Sequence, residues 1–189
     1  MSGAKGGMVS GILNIDKPKG LTSHDVVDRV RRLAKQRRVG HAGTLDPLAT
    51  GVLILCLGGA TRIVEYLSES PKAYRATIRF GLVTDTWDLE GKVIEEREWQ
   101  GLSLAEIQQV LSQFQGTIEQ VPPMYSALKH QGKPLYKLAR QGITVARKPR
   151  RVEIYRLSIL DWRPPELVLE VECSKGTYIR SLAYELGQA

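Results

Sequence analysis

Apolar positions recur with two periods along the chain. The segment GILNID (11–16) is a short apolar strand. In TSHDVVDRVRRLAKQ (22–36), Val26, Val27, Val30, Leu33 and Ala34 fall at helical spacing and predict a buried stripe. Thr22 or Ser23 can cap this helix, and Asp25 suits its positive N-terminal end. The other face carries Arg29, Arg31, Arg32 and Lys35, with Arg37 and Arg38 following. VLILCLG (52–58) reads as a fully buried strand and ATRIVEYL (60–67) as a short helix. YRATIRFG (74–81) alternates, with Tyr74, Ala76, Ile78 and Phe80 on one face and Arg75, Thr77 and Arg79 on the other. TDTWDLEG (84–91) is a turn-rich link into a strand at KVIEEREW. SLAEIQQVLSQFQG (103–116) is a helix with a capping box, Ser103 with Glu106, a stripe of Leu104, Ile107, Val110, Leu111 and Phe114, and Gly116 to end it. Two long strands, RVEIYRLSILDW and ELVLEVECSKG, are joined through Pro164 and Pro165, and TYIRSLAYELG opens a last helix. Strands outnumber helices and their links are mixed, which predicts an α+β fold with a mixed, largely antiparallel sheet.

The 189 residues fit one domain, expected over 11–189 behind a flexible lead, 1–10. At 42% hydrophobic residues the chain can bury a core, and disorder is not expected. No apolar run reaches the about 20 residues of a membrane span, and the N-terminus lacks a signal-peptide core, so a cytoplasmic protein with no membrane partner is expected. Cys56 and Cys173 lie far apart in apolar or alternating runs and read as buried free thiols. The net charge of +7 favours an anionic partner. Its distribution is more telling. Residues 29–38 hold six basic residues in ten, and 120–152 holds eight Lys or Arg and no acid, interleaved with Tyr125 and Tyr136. A charge run can be a solvated face, but cations for phosphates beside aromatics for bases are also what RNA binding requires.

GHAGTLDPLATGVL (40–53) sets Asp46 directly before Pro47 among Gly40, Gly43 and Gly51. Aspartate in such a loop is ordinarily a turn former. The same features make a rigid mount for a carboxylate acting as nucleophile or base. That carboxylate needs a cation, for which Arg180 in SKGTYIRSLA is the candidate; its other reading is an ordinary surface arginine. His24, His41 and His130 lack ligand spacing with each other or with the cysteines, so no metal site is expected. DTWDLEG begins like a calcium loop but fails its spacing and lacks the closing glutamate. No Walker loop and no dinucleotide fingerprint occurs, so no nucleotide cofactor is implied.

GILNIDKPKGLTSHDVV, GHAGTLDPLATGVL, KAYRATIRFG and CSKGTYIRSLA, in this order and spacing, resemble the TruB family of tRNA pseudouridine synthases. PPMYSALKHQGKPLYKLARQG resembles that family's thumb insertion, about 122–151. The resemblance covers residues 11–189. It implies a pseudouridine synthase fold, a tRNA T-stem-loop substrate, conversion of uridine 55 to pseudouridine by an isomerase, no cofactor and no obligate protein partner, in a monomer. It places the essential aspartate on Asp46, the base-stacking tyrosine on Tyr74, the carboxylate-pairing arginine on Arg180 and the histidine that helps hold the opened T-loop on His41. Tyr178 falls on a tyrosine lining the base pocket and Lys17 on a lysine supporting the active-site loops. Arg62 stands where the family has lysine. The family continues past the last helix, so the domain is expected to be C-terminally incomplete. Attack on C1′, attack on C6 and proton abstraction all remain open for Asp46. A non-catalytic tRNA-binding or RNA-folding protein is the alternative that needs no Asp46.

Overall fold

Two units divide the chain, Met1–Ser70 and Pro71–Ala189, at a boundary that no shift in composition announces. The computed structural model describes residues 8–189, so residues 1–7 of the expected lead lie outside the described residues. Residues 9 and 10 are fastened rather than loose. The Val9 N–H donates to Gln36 Oε1 (2.9 Å), its carbonyl accepts from Gln36 Nε2 (3.0 Å), and Ser10 Oγ accepts from the Gly59 N–H (2.9 Å).

The first unit contains β1 (Gly11–Lys17), α1 (Ser23–Leu33), β2 (Val39–Ala42), β3 (Gly51–Leu57), a 3₁₀ turn over Gly58–Ile63, and α2 (Val64–Glu69). Its sheet has the order β1-β3-β2, with both pairs antiparallel. Thr22 caps α1 in a capping box with Asp25. Leu53, Leu55 and Leu57 alternate along β3 and meet Val26, Val27 and Val30 of α1. Two expectations fail here. VLILCLG is not buried on both faces: Val52 is 66% exposed. Leu33, assigned to the buried stripe, is 83% exposed. It is the last residue of α1, the chain turns there through Ala34 and left-handed Lys35 (φ 50°), and Ala34 makes the core contact instead. Strand β2 was hidden in what reads as loop, because four residues containing a glycine carry too little alternation to declare a strand.

The second unit contains β4 (Lys72–Arg79), β5 (Leu82–Thr84), β6 (Val93–Glu96), α3 (Leu104–Leu111), β7 (Gly116–Gln120), β8 (Lys129–His130), β9 (Lys133–Pro134), α4 (Leu135–Ala139), β10 (Arg150–Arg163), β11 (Glu166–Cys173) and α5 (Ile179–Gln188). Its main sheet has the order β4-β11-β10-β7, and β5-β6 and β8-β9 are hairpins. Every strand pair among the described residues is antiparallel. Leu167, Leu169 and Val171 of β11 are buried with Ile107 and Leu111 of α3 and Leu182 and Leu186 of α5. The other face is charged: Arg156 on β10 meets Glu170 (2.7 Å) and Glu172 (3.6 Å) on β11. The capping box of Ser103 and Glu106 forms as expected, but Gly116 (φ +87°) opens β7 rather than ending the helix, which tightens into a 3₁₀ turn over Ser112–Phe114. The basic segment 122–151 carries its own small core of Met124, Leu135 and Leu138. Cys56 and Cys173 are buried free thiols, both pushed up in pKa by burial.

Candidate functional site

Lys17, His41, Asp46 and Arg62 belong to the first unit, and Tyr74, Tyr178 and Arg180 to the second. Asp46 sits in a turn that its own carbonyl closes, accepting from the Ala49 N–H (3.0 Å), with Pro47 fixing the next φ. The backbone on both sides is braced. Before Asp46, buried Ser23 Oγ accepts from the Leu45 N–H (2.9 Å) and donates to the Leu45 carbonyl (3.3 Å). After it, the Pro47 carbonyl accepts from the Gly20 N–H (2.8 Å) and from Lys17 Nζ (3.3 Å).

Lys17 is the largest fully buried side chain among the described residues. Its ammonium also donates to the carbonyls of Leu21 (2.7 Å) and Pro18 (3.0 Å). Burial pulls its pKa below the ordinary lysine range, and the Asp46 carboxylate opposes that pull. Gly43 (φ +103°) and Gly51 (φ +107°) supply left-handed turns at the two ends of the loop, whereas Gly40 lies in β2 without that need. His41 is a strand residue, opposite Leu55 of β3. Its Nδ1 donates in a short hydrogen bond to the Gly43 carbonyl, which fixes the ring and leaves Nε2 as the other edge. Arg62 lies exposed in the 3₁₀ turn after β3.

In the second unit, Tyr74 stands on β4 opposite Val171 and packs half-buried against the core. Tyr178 is the N-cap residue of α5. Its backbone is gripped by buried Gln120, whose Oε1 accepts from the Tyr178 N–H (3.0 Å) and whose Nε2 donates to its carbonyl (3.3 Å). Arg180, 12% exposed, is no ordinary surface arginine. Nη1 donates to the Thr86 carbonyl (3.1 Å), Nη2 to the Tyr125 carbonyl (2.9 Å), and Asp88 Oδ2 lies 3.6 Å from Nη1. Asp88 is the residue that the sequence reading missed. Its Oδ1 accepts from Thr86 Oγ1 (2.6 Å) and the Glu90 N–H (3.1 Å), which turns the other oxygen to the guanidinium. DTWDLEG is therefore a holder for arginine. A Cβ on Gly91 would stand 2.2 Å from Thr86 Oγ1, so this glycine permits the turn. The visible signal was an acid beside an aromatic in a tight turn; its cation lies 92 residues away by number and cannot be found by spacing.

The charged segments divide similarly. Arg31 was counted with the basic face of α1, but its guanidinium is spent on Asp28 (2.9 Å) and the carbonyls of Arg37 (3.1 Å) and Val39 (3.0 Å). Arg29, Arg32, Lys35, Arg37 and Arg38 are exposed. Among the described residues no group of His, Cys, Asp and Glu is placed to hold a metal ion, and no helix is long and apolar enough to cross a membrane.

The α+β architecture has counterparts among solved structures. It resembles a chain in the crystal structure of a Cbf5-Nop10-Gar1 complex with a TM-score of 0.71 and 31% identity, covering 94% of this chain and 44% of that one. A second likeness is to a chain in the structure of an H/ACA RNP bound to a substrate RNA containing 2'-deoxyuridine, with a TM-score of 0.66, 28% identity, and 94% and 42% of the two chains covered. Residues 31–179 match the TruB family pseudouridylate synthase (N terminal domain). The chain is 55% identical over 185 residues to tRNA pseudouridine synthase B of Gloeobacter violaceus, covering 96% of this chain and 63% of that protein. It is 51% identical over 179 residues to the protein of the same name in Syntrophotalea carbinolica, covering 95% and 58%. This chain belongs to the TruB family. It spans about three fifths of the length of these curated relatives.

Proposed function

We propose that the protein isomerises a uridine of tRNA, position 55 of the T-loop, to pseudouridine. The reading is carried by identity of half or more, over nearly all of this chain, to relatives named tRNA pseudouridine synthase B. The braced loop around Asp46 supports it, since a reactive carboxylate must be held still. In the isomerisation the C1′–N1 bond breaks, the uracil turns, C1′ bonds to C5, and the C5 proton leaves while N1 gains one. Nothing is consumed. The base must first be extruded from the folded loop. His41, with its ring fixed through Nδ1, fills the vacated stacking position, and Tyr74 stacks on the freed uracil, a contact worth about 1–3 kcal/mol. Asp46 is the reactive carboxylate and Arg180 its cation. Tyr178 lines the base pocket, Lys17 supports the Asp46 loop, and Arg62 binds substrate. The exposed cations of the insertion, 122–151, bind tRNA phosphates. The enzyme acts as a cytoplasmic monomer, and residues 11–189 are part of its catalytic domain.

The test is incubation of the full-length protein with a T-stem-loop RNA and mapping of pseudouridine. The wild type converts one uridine and Asp46→Asn converts none. Binding of the RNA by wild-type protein with no conversion would replace the enzyme by an RNA-binding protein.

A further inference from the structure

Eight basic residues fall in 120–152 and seven are exposed; Arg147 is not. Its Nη1 donates to the carbonyl of buried Pro122 (3.1 Å), at the other end of the same segment. The guanidinium carbon lies 5.6 Å from the centre of the Trp87 ring, within cation–π reach. Trp87 in turn is stacked on Tyr184, with centroids 4.2 Å apart and rings 9° from parallel. Arg147, Trp87 and Tyr184 thus form three layers. Burial disfavours the charged form of Arg147, and its Nε is buried without a hydrogen-bond partner among the described residues. An arginine placed for phosphate would keep its fork in water. This one gives up hydration for a planar contact.

Each layer has a second connection. Trp87 lies between Thr86 and Asp88, both of which meet Arg180. It holds a left-handed backbone (φ 59°), uncommon for a bulky residue and in need of support from its surroundings. Tyr184 is one turn beyond Arg180 on α5, on the same side of the helix. Arg147 closes the basic segment onto its beginning, near Tyr125, whose carbonyl takes Arg180 Nη2. Removing the guanidinium therefore loosens three of the elements that aim Arg180.

We propose that Arg147 is a positioning residue: through Trp87 and Tyr184 it fastens the basic segment to the loop and helix that orient Arg180, and it is not one of the segment's phosphate contacts. The inference rests on the proposed isomerase reading only for its rate measurement. Arg147→Ala, Arg147→Lys and Lys137→Ala are compared in the full-length protein, using a T-stem-loop RNA, titrations at several salt concentrations, single-turnover conversion at saturating RNA, and amide hydrogen exchange. Both Arg147 variants are expected to lower the saturating rate about ten-fold or more, since a small misplacement of a catalytic group is costly. Both leave the salt slope of RNA binding unchanged and speed exchange over 86–88. Lys137→Ala lowers the slope by about one phosphate's share and leaves exchange over 86–88 as in wild type. Charge alone fails to rescue, because lysine lacks the planar face. The proposal is overturned if Arg147→Ala lowers the salt slope like Lys137→Ala and Arg147→Lys restores it. It is equally overturned if exchange over 86–88 does not change. If the wild type converts no uridine, the isomerase reading falls, while the salt slopes and exchange rates still decide the role of Arg147. Should Arg147→Ala fail to fold, Arg147→Lys and Tyr184→Leu carry the same exchange test.

Discussion

Each unit holds a cation of the candidate site, Lys17 in the first and Arg180 in the second, and the two are held in opposite ways. Lys17 in the first unit is enclosed on all sides and donates to three carbonyls, those of Pro18, Leu21 and Pro47, within the electrostatic reach of Asp46. Arg180 in the second meets two carbonyls and a carboxylate, and retains some exposure. A compact ammonium can tie together three carbonyls from two backbone segments inside a tight loop, but its charge is then turned inward. A guanidinium keeps five donors in one plane, so it can be clamped through one edge and still present another. The lysine holds the platform of Asp46. The arginine is held by its platform, which is what the proposed role as the cation of the reactive carboxylate requires.

The largest expected effect lies on the arginine. Arg180→Lys keeps the charge but cannot span the carbonyls of Thr86 and Tyr125 and also face Asp88. Conversion of T-stem-loop RNA should fall roughly 100- to 1000-fold, the scale seen on removing one preorganised donor, with little loss of RNA affinity. A near-normal rate would make Arg180 a brace like Lys17 and erase the contrast. Lys17→Met should act in the other direction. Its stem is isosteric, but the carbonyls of Pro18, Leu21 and Pro47 each lose a donor inside the Asp46 platform, and denaturant unfolding should show a loss of about 2 kcal/mol. A fully stable Lys17→Met protein would mean that the ammonium's own desolvation cost cancels its bonds, as occurs for some buried charges.

Hydroxyl braces give a finer comparison. Ser23 serves both the N–H and the carbonyl of Leu45, next to Asp46. Buried Ser181, next to Arg180, donates only to the Val121 carbonyl (2.7 Å). Ser23→Ala orphans a backbone donor and should cost about 1–2 kcal/mol, whereas Ser181→Ala should cost about 0.5–1 kcal/mol. If the two costs are equal or reversed, the Asp46 loop is not the more tightly braced of the two.

These contrasts also show what the chain spells out locally. The capping box of Ser103 and Glu106 could be read directly, because its partners are three residues apart, whereas at α1 the sequence left Thr22 and Ser23 both open as the cap that Thr22 turns out to be. The faces of β4 followed from strict alternation. Asp46 stood out because glycine and proline mark a constrained loop wherever they fall. What could not be read was set by contacts distant in sequence. Leu33 has the spacing of a core residue and is exposed, because helical period says nothing about where the chain turns away. Strand β7 is five residues long and acquires its identity from pairing with β10. Arg31 and Arg147 look like their exposed neighbours in the sequence, and Asp88 looks like a turn former. Their roles come from partners that only the folded chain supplies.

The smallest expected effect concerns pH, and here the two units differ in sign. Lys17 has a folded pKa pulled below the unfolded value of about 10.4 by burial, with Asp46 opposing. Below its folded pKa the lysine is protonated in both states and the folded chain carries the desolvation penalty. Between the folded and unfolded values the unfolded chain binds more protons, so stability rises with pH in that alkaline window. Glu185 on α5 behaves oppositely. Burial raises its folded pKa, and its bond from the Val121 N–H (3.3 Å) offsets this only in part. Between the unfolded value of about 4.3 and the raised folded one, the folded chain binds more protons, so stability falls as pH rises through that acidic window. Urea midpoints measured across pH should therefore carry a rising alkaline contribution that Lys17→Met removes, opposed by the fall that the buried thiols Cys56 and Cys173 contribute in the same range, and an acidic fall that Glu185→Gln abolishes, the amide keeping an oxygen for Val121. An alkaline slope that is the same in wild type and Lys17→Met would mean that the lysine's burial carries no penalty for the Asp46 loop.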